Sequence, residues 1–153
     1  PDPRQRMSLF LQPACHNLAF CETSIMKTLT IQGNQWSPTV TGDWEHGRLI
    51  MEGDSYPENS FEFFAQIITW IEHYLKTTAS SEPLRLELRL VYMNTSSVKA
   101  MMDIFDLLED AHKHGRPVSV HWYYDPRNER VVELADEFRE DCSFPFEIAA
   151  NEL

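Results

Sequence analysis

Basic residues, cysteines and glycines are all scarce in this chain. Lys and Arg total 13 against 24 Asp and Glu, a net charge of −11 over 153 residues. A nucleic-acid binder needs a basic face, and docking on anionic lipid needs polybasic segments. Neither partner is expected. The three cysteines, Cys15, Cys21 and Cys142, form no CxxC pair, which excludes a disulfide scaffold and the common zinc ribbons. A reducing, cytoplasmic setting is the expected location. Five glycines supply no Gly-rich phosphate loop, and GxxxxGK[ST], GxSxG and HExxH are all missing. No apolar run approaches the ~18 residues that span a bilayer.

Apolar and aromatic residues are plentiful. Hydrophobic residues make up 42% of the chain, with nine Phe, four Trp and five Tyr, enough for one well-filled core. Residues 1–25 differ from the rest. Asp2, Arg4, Arg6 and Glu22 cancel, so the whole −11 falls on residues 26–153. That division predicts an N-terminal extension over 1–25, either non-native with Met26 as the natural start or an ordinary arm packed on the domain, followed by one domain over 26–153.

Short strands are expected at Leu29–Ile31, Thr39–Thr41 and Arg48–Glu52, the last ended by the turn residues Gly53 to Pro57. A helix over Glu58–Lys76 carries two apolar stripes. One is Phe61, Phe64, Ile68, Ile71 and Leu75; the other is Phe63, Ile67, Trp70 and Tyr74. Together they cover about half the helix, more than one sheet face uses. Either a loop or the N-terminal arm covers the second stripe, or it meets a partner.

Leu84, Leu86, Leu88, Leu90 and Tyr92 alternate with Arg85, Glu87 and Arg89, and Val118, Val120, Trp122 and Tyr124 alternate with Ser119, His121 and Tyr123. These are strands with one buried face. A helix over Ser96–His114 lies between them, closed by Gly115 and Pro117. Strand, helix, strand at this length is a βαβ unit with parallel strands and a right-handed crossover. The fold class is therefore α/β, a mixed sheet with helices mainly on one face. Asp125 and Pro126 read as the N-cap and first residue of a third helix, with Cys142 at the end of its apolar stripe. A last strand spans Phe146–Ala149.

Function in such a unit gathers at the C-terminal ends of the strands, where helix N-termini point. That place is Asn94-Thr95-Ser96-Ser97. One N-cap is needed there, but a single cap leaves the remaining polar residues unexplained. Two readings follow: a small-molecule or nucleotide site on the hydroxyls and free N–H groups, or a phosphoacceptor hydroxyl. Nucleophilic catalysis lacks a base. His112 and His114 lie at the far end of the helix, roughly 25 Å away at 1.5 Å per residue. His121 is mid-strand on the polar face, and His46 lies in a turn that the sequence does not place relative to the junction. The paired carboxylates usual beside a receiver aspartate are not evident around Asp125. The spacing of His112 and His114 diverges on a helix and builds no metal site. Residues 133–153 hold seven acids and one Arg, a solvated face that also suits a basic partner.

Several segments in order carry a resemblance: Gly53-Asp54-Ser55-Tyr56-Pro57-Glu58-Asn59-Ser60, Leu88 to Ser97 with Asn94-Thr95-Ser96-Ser97 at its end, Ala100-Met101-Met102-Asp103-Ile104, Tyr124-Asp125-Pro126-Arg127-Asn128-Glu129-Arg130, and Glu140-Asp141-Cys142-Ser143-Phe144-Pro145-Phe146. Over residues 26 to about 150 the chain resembles the SiaC family of bacterial regulatory phosphoproteins. The resemblance implies a STAS-like fold and a non-enzymatic partner switch without a cofactor. It implies phosphorylation of Thr95 by a Ser/Thr protein kinase and its reversal by a PP2C-type phosphatase. The unphosphorylated form would bind and activate a diguanylate cyclase in biofilm or aggregation signalling. Partner contacts are expected from Asn94, Ser96 and Ser97, and from the neighbouring Asp54, Ser55 and Tyr56.

Overall fold

The computed structural model describes residues 28–151. The expected extension at 1–25 lies outside them. Nine elements follow in order: β1 (Thr28–Ile31), β2 (Thr39–Asp43), β3 (Arg48–Ser55), α1 (Ser60–Thr77), β4 (Leu84–Met93), α2 (Thr95–Lys113), β5 (Val118–Tyr124), α3 (Glu129–Glu140) and β6 (Phe146–Ala150). They form a six-stranded sheet in the order β1-β2-β3-β4-β5-β6. The first two pairings are antiparallel and the last three parallel. Each parallel crossover carries one helix and moves the chain one strand further in the same direction. Right-handed crossovers then put α1, α2 and α3 on one face.

The strand patterns show why. Leu84, Leu86, Leu88 and Leu90 of β4, and Val118, Val120 and Trp122 of β5, are buried against the helices. The opposite face has no helix over it and is polar. Its centre is Glu87, only 6% exposed, held by Arg48 and by Arg85 at 3.0 Å. Burial works against the charged form of Glu87, but the hydrogen bonds and charges of Arg48 and Arg85 outweigh it, and the carboxyl stays below its ordinary value.

The helix side is closed by aromatic packing. The β2–β3 turn places Trp44 edge-on to Trp70 at 5.8 Å and to Tyr74 at 5.1 Å. Thus the hairpin covers the second stripe of α1, and Trp70 packs so close to Gly42 that a Cβ there would lie 2.8 Å from its ring. At the C-terminal end of α1, Arg116 is 6% exposed and donates to the carbonyls of Leu75, Thr78 and Glu82, while its guanidinium lies over the Tyr74 ring. A cation thus satisfies the Leu75 carbonyl of the last turn of α1, together with two carbonyls of the chain that follows it.

Four expectations are corrected. Strand β3 does not stop at Glu52 but runs to Ser55, because Gly53 takes a φ of +117° that keeps the chain in the ladder. Tyr92 does not continue the buried row of β4. Gly53 pairs with Leu90 but Asp54 pairs with Tyr92, so Val91 is an extra residue. This bulge inverts the alternation, leaving Tyr92 52% exposed and turning Met93 inward. Phe61 does not join the core; it is 85% exposed. Helix α3 is not capped by Asp125. The Asp125 carboxylate instead binds Arg127, through its backbone N at 3.0 Å and its guanidinium at 2.6 Å, in a turn that places Pro126 before the helix. Asn128 is the cap, accepting from the Val131 N–H. Cys142 lies two residues past the end of α3, half-buried, and burial pushes its thiol up to about 11, which makes it unreactive near neutral pH.

Candidate functional site

All three helices start at the same edge of the sheet, the C-terminal ends of β3, β4 and β5, and each is capped by an asparagine. Asn59 accepts from Glu62 N at 3.1 Å, Asn94 from Ser97 N at 2.9 Å, and Asn128 from Val131 N. Asparagine suits this position because its short amide caps the helix while its own backbone stays non-helical. Asn128 does a second job: its amide donates to the carbonyl of Val91, the bulged residue. The α3 start is thereby tied to the end of β4.

The hydroxyls between these caps are not equivalent. Ser55 and Ser97 are fully buried, with their oxygens 2.9 Å apart. Ser97 also lies 2.9 Å from the Ser55 carbonyl. A hydroxyl has one proton. Ser97 spends it on that carbonyl, so the Ser55 hydroxyl donates to Ser97. The Ser55 carbonyl accepts from Asn94 N as well, at 3.0 Å. The end of β3 is thereby fastened to the start of α2. These two serines, expected as partner contacts, are withdrawn inside the protein and frame the site instead.

Ser96 is exposed but committed. It donates to Asn94 Oδ1 at 3.1 Å, so its 2.6 Å bond with Ser60 has Ser60 as donor. Ser60 opens α1 and Ser96 lies in the first turn of α2, so the N-termini of two helices are joined by one hydroxyl bridge. Thr95 is exposed, and among the described residues its hydroxyl has no side-chain partner. It is the free hydroxyl of the cluster.

Electrostatics single out the same place. Helices α1 and α3 each carry an acid in the first turn, Glu62 and Glu129, whereas α2 has none. The N-terminus of α2 is left without the compensating charge that a helix dipole favours. Asp54 is half-buried beside Tyr92 in the ladder, and Tyr56 is exposed with its ring edge-on to Tyr92 at 5.5 Å. Thus Asp54, Ser55 and Tyr56 do lie at the same sheet edge as Asn94 to Ser97, as expected, though on a strand and its exit rather than in a turn.

Catalytic chemistry finds no support at this cluster. No histidine or carboxylate hydrogen-bonds the Thr95 hydroxyl among the described residues. His46 pairs with Asp43 at 2.8 Å, His121 with Glu147 at 2.8 Å, and His114 bonds the Asp110 carbonyl at the C-terminus of α2. No group of three metal-ligating side chains gathers among the described residues. The serines expected to greet a small anion are spent on one another.

Sequence reasoning missed Ser60 and Phe61. Ser60 stands 36 positions from Ser96, and nothing local marks the pair. Phe61 carried a misleading signal, since its spacing matched the core stripe. Tyr92 was hidden by the bulge.

The site is thus an exposed threonine at a parallel strand-to-helix junction, walled by buried serines. The lineage of the chain is clear from comparison. The model of the SiaC family regulatory phosphoproteins matches residues 31–151. An uncharacterized protein of Pseudomonas aeruginosa strain UCBPP-PA14 is 62% identical over 127 residues, covering 83% of this chain and 99% of that protein. The structure is similar to SiaC of Pseudomonas aeruginosa crystallised with the diguanylate cyclase SiaD, of which it is the activator. That match has a TM-score of 0.77 and 63% identity, and covers 80% of this chain and 99% of that one. Apo-SiaC from the same organism matches at a TM-score of 0.76 and 62% identity over 80% and 98% of the two chains. The chain belongs to the SiaC family.

Proposed function

We propose that this protein is a non-enzymatic partner switch that binds and activates a diguanylate cyclase while Thr95 is unmodified. A Ser/Thr protein kinase phosphorylates Thr95 and a PP2C-type phosphatase restores it, in the cytoplasm and without a cofactor. The observation that carries this reading is the contrast among the clustered hydroxyls: Ser55, Ser60, Ser96 and Ser97 are all bonded, whereas Thr95 has no side-chain partner among the described residues and is exposed and first in its helix. The cyclase enters from the 63% identical relative, whose structure holds SiaD.

The physics supports a switch at this position. A phosphate adds about −1.5 to −2 charges and three acceptor oxygens. The N-terminus of α2 tolerates that charge in the free protein. In a docked complex the phosphate loses its water, and a buried unpaired charge costs several kcal/mol. That is the size of change that moves a binding equilibrium from mostly bound to mostly free.

The test is intact-mass spectrometry of the protein from its own host before and after PP2C-type phosphatase, with peptide mapping. One removable phosphate on Thr95 is expected. A pull-down should then show the cyclase bound by Thr95→Ala and lost by Thr95→Glu. If Thr95→Ala takes phosphate at the same stoichiometry on another residue, the switch is not at Thr95.

A further inference from the structure

The bulge in β4 turns Tyr92 out of the core, three residues before Thr95. Re-aiming a side chain beside a functional residue is a recurring use of such bulges. Tyr92 joins two more exposed rings. Tyr56, on the exit from β3, stands edge-on to it at 5.5 Å, and Trp36 comes from the loop before β2, which enters the sheet at this same end. Six large hydrophobic side chains are exposed among the described residues, and these are three of them. All three sit on backbone that hydrogen bonds hold in place. The Asn34 side-chain oxygen accepts from Trp36 N at 2.9 Å and from Ser37 N and Oγ at 2.9 and 3.0 Å. The Trp36 carbonyl accepts from Tyr56 N at 2.7 Å, and the Val91 carbonyl at the bulge accepts from the Asn128 amide at 3.0 Å. Rings set in this way offer contact area at little cost in conformational freedom, and Trp and Tyr are the side chains that most often anchor an interface.

We infer that Trp36, Tyr56 and Tyr92 form the surface on which the Ser/Thr protein kinase docks to reach Thr95. This deepens the reading above and rests on it. In the transfer, the Thr95 hydroxyl oxygen bonds to the γ-phosphorus of ATP. The bond from that phosphorus to the bridging oxygen breaks, and its electron pair leaves with ADP. The hydroxyl proton passes to a base of the kinase, since no carboxylate or histidine hydrogen-bonds Thr95 among the described residues. What this chain supplies is orientation. Unmodified Thr95 is a neutral hydroxyl with the exposed Ser96 beside it, and no charge marks it as the acceptor. The kinase therefore takes its register from fixed groups nearby, whose contact energy positions the reacting atoms. The phosphatase meets a phosphate, and charge-assisted hydrogen bonds recognise that group directly. Uncharged rings next to the acceptor thus suit the kinase. The surface that fits them on the kinase is an apolar pocket that takes the Tyr92 ring.

The experiment measures transfer of label from ATP to the full chain by the kinase activity of its own host, fractionated until Thr95→Ala takes no label. Initial rates at low substrate concentration give relative kcat/KM. Tyr92→Ser and Trp36→Ser change exposed side chains, and unchanged melting curves check that they fold. Each is expected to lower kcat/KM at least about tenfold, as loss of an aromatic anchor does. Tyr92→Phe keeps the ring, and Met102→Ser changes an exposed apolar side chain further along α2; both are expected to stay within about threefold. The two serine variants at Tyr92 and Trp36 are also titrated by calorimetry with the diguanylate cyclase SiaD of Pseudomonas aeruginosa, and their phosphorylated forms are treated with a PP2C-type phosphatase. Affinity and dephosphorylation rate are expected within about threefold of the wild type. If both variants are labelled on Thr95 at the wild-type rate, the rings are not the docking surface and the switch stands. If the loss falls on the cyclase or the phosphatase, alone or as heavily as on the kinase, the surface is not the kinase's and the proposal is overturned. If no fraction labels the wild type on Thr95, both readings fall.

Discussion

The hydroxyl of Ser97 donates to the backbone carbonyl of Ser55 while accepting from the Ser55 hydroxyl, both at 2.9 Å and both out of contact with solvent. This reciprocal pair joins the end of one strand to the start of the helix that begins beside the neighbouring strand. It holds Thr95 at a fixed position, because Thr95 is two residues before Ser97 and one after the cap Asn94.

Ser97→Ala removes one proton donor and one acceptor from a buried site. The Ser55 hydroxyl then lacks its acceptor, at a cost of about 1–3 kcal/mol. Ser55→Ala with Ser97→Ala is expected to cost clearly less than the sum of the two single changes, since neither hydroxyl is then left unpaired. Urea unfolding of the four proteins measures the coupling; strict additivity would mean the pair does not act as a unit.

Asn94→Ala takes the cap from Ser97 N and the acceptor from Ser96 Oγ. A loss of about 1 kcal/mol is expected, read as a drop of roughly 3–5 °C in Tm. Asn94→Ser, which keeps a capping oxygen, should recover most of it.

Thr95→Glu places an acid in the one helix start that has none. It should stabilise the free protein by a few tenths of a kcal/mol, seen as a small rise in Tm that 1 M salt removes. A fall in Tm would show that the junction rejects negative charge, and lost cyclase binding by this variant would then reflect damage to the fold.

Glu87 contributes to the response to acid. Its folded value lies below the ordinary 4.5 because Arg48 and Arg85 together overcome its burial. Above 4.5 the carboxylate is charged in both states and paired only in the folded one, so it stabilises the fold. Below 4.5 the unfolded chain takes the proton first, and that stability is lost as pH falls through the lower folded value. Glu87→Gln should be less stable at pH 7 and lose less on going from pH 6 to pH 3. Thermal melts across that range decide it; parallel curves for the two proteins would assign the acid response elsewhere.

Arg116 closes the base of α1 through carbonyls on three residues. Arg116→Met keeps much of the apolar stem but leaves those partly buried carbonyls without their donor. A loss of roughly 3 kcal/mol is expected, measured by denaturant midpoint. Lys at the same position should recover only part, since it lacks the planar fork.

Much of the architecture was legible in the chain because its signals are local. The alternation from Leu84 to Leu90 and from Val118 to Trp122 marks strands with one buried face. The stretch between them, closed by Gly115 and Pro117, marks a helix that must cross over. Helix starts were less legible. Asp125 and Pro126 have the residue types of a cap and first turn, and Asn128 won because Asp125 is drawn into its own turn by Arg127. Phe61 matched the core period, but it sits in the first turn of α1 and lines an open hollow between α1 and α2.

The amino-acid sequence by itself determined the order of elements, the face each strand buries and the presence of a hydroxyl cluster at one strand-to-helix junction. All three follow from periodicity and capping within a few neighbouring residues. Only the tertiary structure decided which hydroxyl is free. Ser55 and Ser97 are 42 positions apart and Ser60 and Ser96 are 36 apart. Their hydrogen bonds exist only once β3, α1 and α2 have packed, because a hydroxyl's single proton goes to whatever acceptor the fold brings within about 3 Å. Thr95 is left over by that assignment among the described residues; the family resemblance points to it, but neither periodicity nor capping does.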